Sequence, residues 1–223
     1  MEIKFKKKLS LFEYLLMFDL ASKKTGVCLW DLNKKVPIYT KQIVTPSTEE
    51  LSVYGLKKEI EKCVNFIISE YGINKSGILL YKEAMPTQVH GGSSTVQTFL
   101  ALAKSHAVLD LYAFENGFPV YDYIGVYPIT THSYLKKLNG WDNNHKVDKT
   151  DIQKYVEQRY GVSKLTPDEY DAIFLALTFI EVKWNKDLEE EIKVVKRHKK
   201  ELKMQHALNQ CDAEMQRLEK MKI

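Results

Sequence analysis

At 223 residues, 44% hydrophobic and 28% charged, the chain has room for one α/β domain and an appendage, not two full cores. The net charge of +4 does not by itself announce nucleic acid, and the only arginines are Arg159, Arg197 and Arg217. Any DNA contact should therefore be lysine on phosphate rather than base readout. Cys28, Cys63 and Cys211 are scattered and odd in number, which excludes a zinc cluster or a disulfide framework and fits a reducing, cytoplasmic setting.

In chain order, residues 1–12 read as a basic extension. The apolar LSLFEYLLMF that follows is interrupted by Glu13 and ends at Asp19, so neither a signal peptide nor a membrane span is expected. LLMFDL (15–20) is a short apolar run suited to a buried central strand. VCLWDL (27–32) and VPIYTKQIV (36–44) follow so closely that three antiparallel neighbours are predicted. Residues 49–71 carry Leu51, Leu56, Ile60, Val64, Ile67 and Ile68 at helical spacing, and GILLYKE (77–83) is another buried strand ending in a carboxylate. A helix is predicted over 94–115 with Phe99, Leu100, Ala103, Ala107 and Leu111 on one face, then a strand over 119–127. Helices are predicted near 132–138, 150–160 and 166–184, with the polar loop NGWDNNHKVDK between the first two. From about Lys183 the chain is dense in Lys and Glu and lacks Gly and Pro. The organisation expected is an extension (1–12), an α/β domain (13–182) and a charged helical tail (183–223).

Four carboxylates invite attention because hard divalent cations take oxygen ligands, and two such ions can hold both oxygens of a phosphodiester displacement. Asp19 and Glu83 each close a buried strand, and Asp168 and Asp171 lie three apart, on one face of a helix. Each also has an ordinary structural use. Asp19 could start a turn and Glu83 could be a solvated strand end. Thr166-Pro167-Asp168-Glu169 reads as a helix start with a capping box. Asp171 is harder to treat that way, because it opens the apolar run Ala172-Ile173-Phe174-Leu175-Ala176-Leu177.

MFDLASKKTGVCLWD resembles the first motif of the RuvC-like resolvases: strand, Asp, turn, Thr-Gly, strand. ILLYKE resembles their second motif, KVDKTDIQKYVEQRYG their basic loop and helix, and PDEYDAIFLAL their D-x-x-D-A helix. The four stand in register over about residues 15–180. The resemblance implies a ribonuclease-H-like mixed five-stranded sheet flanked by helices, with a C-terminal helical extension. It implies a homodimeric endonuclease that resolves four-way or branched DNA junctions with Mg²⁺, Mn²⁺ substituting, by paired nicks that leave 5′-phosphates. Asp19, Glu83, Asp168 and Asp171 become the catalytic metal ligands, with Asp19 bridging, and Lys146 and Lys149 become phosphate contacts. Thr25-Gly26 matches the family hairpin, the glycine serving backbone geometry.

Two departures stand out. Ala84-Met85-Pro86-Thr87 follows the glutamate where the family carries glutamine and an aromatic wedge, leaving Met85 or Pro86 as the apolar wedge. The tail is longer than the domain requires, and with the scarcity of arginine it suggests a phage-encoded member. Alternatives stay open: an actin-like ATPase, a branched-DNA-binding protein that does not cut, or a ribonuclease-H-like nuclease on another nucleic acid. His90, His106 and the tyrosines at 121, 123 and 127 read as ordinary surface, packing or strand residues.

Overall fold

The computed structural model describes residues 12–21, 23–45, 49–85, 96–119 and 125–220. These divide between Val182 and Lys183 into two compact units. The first contains β1 (Tyr14–Asp19), β2 (Lys24–Asp31), β3 (Val36–Val44) and β4 (Ile78–Lys82), in the sheet order β3-β2-β1-β4. β1 pairs antiparallel with β2 and parallel with β4, and β2 pairs antiparallel with β3. The sheet is therefore mixed, as the meander followed by strand–helix alternation predicts.

Helices cover both faces: α1 (Glu49–Tyr71), α2 (Val96–Glu115), α3 (Pro128–Asn139), α4 (Lys149–Tyr160) and α5 (Pro167–Phe179). Side chains alternate along a strand, so β1 sorts its residues between two cores. Leu16 and Phe18 join Leu56, Ile60, Val64 and Ile67 of α1 and Leu109 and Tyr112 of α2 in one apolar cluster. Leu15 and Met17 point to the opposite face, where α5 packs on β1, β2 and β3. α5 buries every residue from Ala172 to Phe179, and Tyr81 of β4 meets Phe179 with ring centroids 4.3 Å apart.

Among the described residues the sheet has four strands, and the described part of the predicted fifth, 119–127, contributes a parallel bridge between Glu83 and Val126. Val126 N donates to Lys82 O at 3.1 Å and accepts at its own carbonyl from Ala84 N at 2.8 Å. Gly125 takes a positive φ of 89°, and Pro128 is already in the first turn of α3. Residues 120–124 lie outside the described part, Tyr121 and Tyr123 with them. α2 buries Ser105, His106, Val108, Leu109, Tyr112 and Ala113, while Leu100, Ala107 and Leu111 of the apolar face read from the sequence are exposed. The helix is apolar on two sides, and periodicity alone selects the side that the sheet leaves uncovered.

The second unit contains α6 (Asn185–Lys220). Among the described residues no helix is long and apolar enough to cross a membrane.

Candidate metal centre

Strand parity brings the first two carboxylates together. Asp19 follows Leu15 and Met17 on the α5 face, and Glu83 follows Leu79 and Tyr81 on the same face. The parallel register pairs Phe18 with Lys82, so the next residues, Asp19 and Glu83, emerge side by side at the carboxyl end of the sheet. α5 supplies the other two from its first turns. Thr166 is its N-cap, with a complete capping box to Glu169. The helix start that the sequence predicts is therefore real, and it aims Asp168 and Asp171 at the strand ends.

Asp19, Asp168 and Asp171 offer carboxylate oxygens that all lie within 4.8 Å of one another. Glu83 completes the group through a hydrogen bond to Asp19. Asp171 Oδ2 lies 3.0 Å from Lys149 Nζ, and Asp168 Oδ1 lies 3.5 Å from the same ammonium. Gln42 Nε2 donates to Asp168 Oδ2 at 2.6 Å. Asp171 Oδ1 is buried and has no hydrogen-bond partner among the described residues.

Burial is the main cause that raises the Asp19 carboxyl above its ordinary range, with Asp171 and Asp168 adding repulsion. Glu83 is raised too, first by burial and then by the charge of Asp19 and the hydrogen bond between the two. Burial also raises Asp171, while Lys149 draws it back. Burial works against the Lys149 ammonium, but hydrogen bonding to Asp171 and the charges of Asp171 and Asp168 outweigh it and raise its pKa. Crowded, partly desolvated carboxylates of this kind lack positive charge. The donor set is all oxygen, which suits Mg²⁺ or Mn²⁺ rather than zinc. Metal–oxygen bonds of about 2.1 Å span about 4.2 Å across one ion, so a small side-chain rotation closes the group. The orphaned Asp171 Oδ1 then gains a partner. The residues fit a hard divalent cation.

The cleft beside them, about 290 Å³, is lined by Asp19, Glu83, Lys149 and Asp171 together with Thr131 and His132 of α3. Lys149 is thus brought to the site. Lys146 is exposed in the preceding loop and is not part of that lining. Met85 is half-buried two residues beyond Glu83, and Pro86 and His90 lie outside the described residues. His106 is buried in α2, away from the cleft lining.

Four residues escape a reading of sequence alone. Gln42 holds Asp168 from β3, 126 positions away, and no local pattern marks it. His132 and Thr131 reach the cleft because Pro128 starts α3 one turn earlier than its apolar periodicity suggests. Gly125 lies so close to β4 that a Cβ there would stand 2.7 Å from backbone atoms of Glu83. The positive φ and the shortage of space both hold this position to glycine.

A mixed sheet in this order, with α5 laid across it and acids gathered where β1 and β4 end, is a RuvC-like, ribonuclease-H-like α/β fold. The similarity extends to Thermus thermophilus RuvC in complex with a Holliday junction substrate, at a TM-score of 0.52 and 13% identity over 74% of this chain and 92% of that one. A second Thermus thermophilus RuvC structure has 15% identity over the same shares, with a TM-score of 0.49. At these identities the likeness is one of fold. No family model and no curated protein matches the sequence.

Proposed function

We propose that this protein is a metal-dependent endonuclease that cuts branched DNA, a four-way junction above all. One observation carries the reading: Asp19, Glu83, Asp168 and Asp171 come from three separate chain segments to one end of a RuvC-like sheet. Such a gathering of like charge costs stability unless a cation is held there. Asp19, Asp168 and Asp171 are the proposed ligands, with Glu83 alongside. Mg²⁺ or Mn²⁺ bound there supplies an activated water and charge stabilisation for the leaving oxygen.

The rest falls to the chain's own groups. Lys149 meets a strand phosphate at the cleft, and Lys146 adds a contact from the neighbouring loop. His132 and Thr131 give the cleft polar walls on the side of α3. Met85, two residues past Glu83, is the proposed apolar wedge. A four-way junction has near two-fold symmetry, so a homodimer can set one site on each of two opposing strands. Leu100, Leu111 and Phe114 are exposed on α2, a face suited to a second copy.

The test is incubation of the purified protein with labelled four-way junction, linear duplex and RNA–DNA hybrid, with and without Mg²⁺. Mg²⁺-dependent paired nicks in the junction alone are expected. Cleavage of the hybrid instead would move the reading to another ribonuclease-H-like nuclease. Asp19→Asn should reduce nicking at least a hundredfold while leaving junction binding intact, because it removes a ligand charge and also a repulsion towards phosphate. Full nicking by that variant would remove Asp19 from the site.

A further inference from the structure

Lys149 is the one lysine or arginine among the residues lining the cleft, and its position is not chosen for the helix it begins. It is the first residue of α4, fixed by the capping box in which Asp148 accepts from Asp151 N and Asp151 accepts from Asp148 N. A cation at a helix N-terminus is opposed by the helix dipole. The compensation lies across the cleft, where its ammonium bridges Asp171 and Asp168 at 3.0 and 3.5 Å. The other oxygen of Asp168 is held by Gln42, and the other oxygen of Asp171 has no partner among the described residues. The ammonium thus sits on two of the three carboxylates that a cation shared with Asp19 would use, and its charge repels a second cation there. The Lys149 side chain is 63% exposed, so its flexible stem can withdraw without disturbing the core.

We propose that Lys149 is a placeholder for the cation: it holds Asp168 and Asp171 together in the metal-free protein, is displaced as a divalent ion enters, and then turns to a phosphate of the bound strand. This rests on the metal-centre reading above and gives that reading an order of events. The ammonium and a divalent ion repel each other and draw on the same two carboxylates, so metal alone binds against competition. Once DNA is present, the displaced ammonium has a phosphate to pair with, and the opposition turns into cooperation. By linkage, metal must then strengthen DNA binding by the same factor as DNA strengthens metal binding.

The experiment uses the full chain and two variants, Lys149→Ala and Lys146→Ala. The second removes the same charge nearby from a residue outside the cleft lining, and so reports the effect of bulk charge. Mg²⁺ affinity is measured by calorimetry without DNA. Junction affinity is measured by fluorescence anisotropy in EDTA and in Ca²⁺, which replaces Mg²⁺ to hold back hydrolysis. An exposed ion pair is modest in strength, so Lys149→Ala should bind Mg²⁺ about two- to fivefold more tightly than the parent, with Lys146→Ala unchanged. The strengthening of junction binding by Ca²⁺ should shrink in Lys149→Ala and persist in Lys146→Ala. Mg²⁺ affinity that is equal or weaker in Lys149→Ala, or equally raised in both variants, overturns the placeholder and leaves the metal centre standing. No Mg²⁺ binding by any of the three proteins would remove the metal centre itself, and the placeholder with it.

Discussion

A Cβ on Gly26 would stand 1.9 Å from the carbonyl oxygen of Asp168 and 3.1 Å from the Cβ of Ala172. The constraint there is space. Its backbone is ordinary extended strand, so the conformational freedom expected of the Thr-Gly hairpin is not what the position uses. Gly26 pairs with Asp19 across the β1–β2 ladder, so one residue lets α5 approach the very strand that carries the first proposed ligand. Gly26→Ala must push the start of α5 away, carrying Asp168 and Asp171 with it. We expect a loss of about 1–3 kcal/mol in stability, as for overpacking elsewhere, and a drop in Mg²⁺ affinity of at least tenfold. Calorimetry on the folded variant, with circular dichroism as the folding control, checks both. At this scale the proposed ligands could be picked out because each sits at an element boundary: Asp19 and Glu83 end strands, and Asp168 and Asp171 open a helix. Gly26 was legible as a motif but not in its reason, because its neighbour lies 142 residues later and spacing along the chain does not encode contact across it.

At the scale of elements, β1, β4 and the N-terminus of α5 press four acids into one place, and the cost appears as raised carboxyl pKa values. Burial comes first for Asp19 and Glu83, and repulsion from neighbouring acids adds to it. Carboxyls with folded pKa values above their unfolded ones bind more protons in the folded state, so the stability they allow is greatest in acid and is lost as pH rises. The window opens in the ordinary carboxylate range of about 4 and runs upward from there. A bound divalent ion reverses the penalty, because it favours the ionised forms. Thermal unfolding in EDTA should therefore show the metal-free protein less stable at pH 8 than at pH 5.5. The rise in melting temperature on adding Mg²⁺ should be larger at pH 8. An equal Mg²⁺ effect at both values would mean that these acids do not titrate as a crowded group. Most elements were legible from periodicity and turn chemistry. The buried face of α2 was not, because two apolar stripes compete, and only the packed sheet decides between them.

For the molecule as a whole, the mixed sheet followed from three tightly joined strands and the strand–helix alternation after them, while assembly is a matter that one chain's periodicity leaves open. The charged tail bears on it directly. α6 is a 36-residue helix, about 54 Å long at 1.5 Å per residue. A helix draws its stability mainly from burying an apolar face, yet Ile192, Val195 and Leu202 are exposed. Those residues lie on the seam at Leu188, Ile192, Val195 and Leu202, where Lys199 fills the skipped apolar position. Such a seam pairs helices over a short length and does not sustain one continuous zipper. Glu189 stands four residues ahead of Lys193, a spacing that suits pairing along a solvated helix, and the basic run Lys196-Arg197-His198-Lys199-Lys200 follows. None of the proposed ligands lies beyond Asp171, so a chain ended after Lys186 should fold and keep metal-dependent nicking. It should lose part of its dimerisation or its affinity for a four-way junction, with a shallower dependence of affinity on salt if the basic run meets phosphates. Light scattering gives the first quantity and gel-shift titration across salt concentrations the second. Unchanged values in both would make the tail idle in this activity, and an unfolded product would mean that the catalytic unit depends on it.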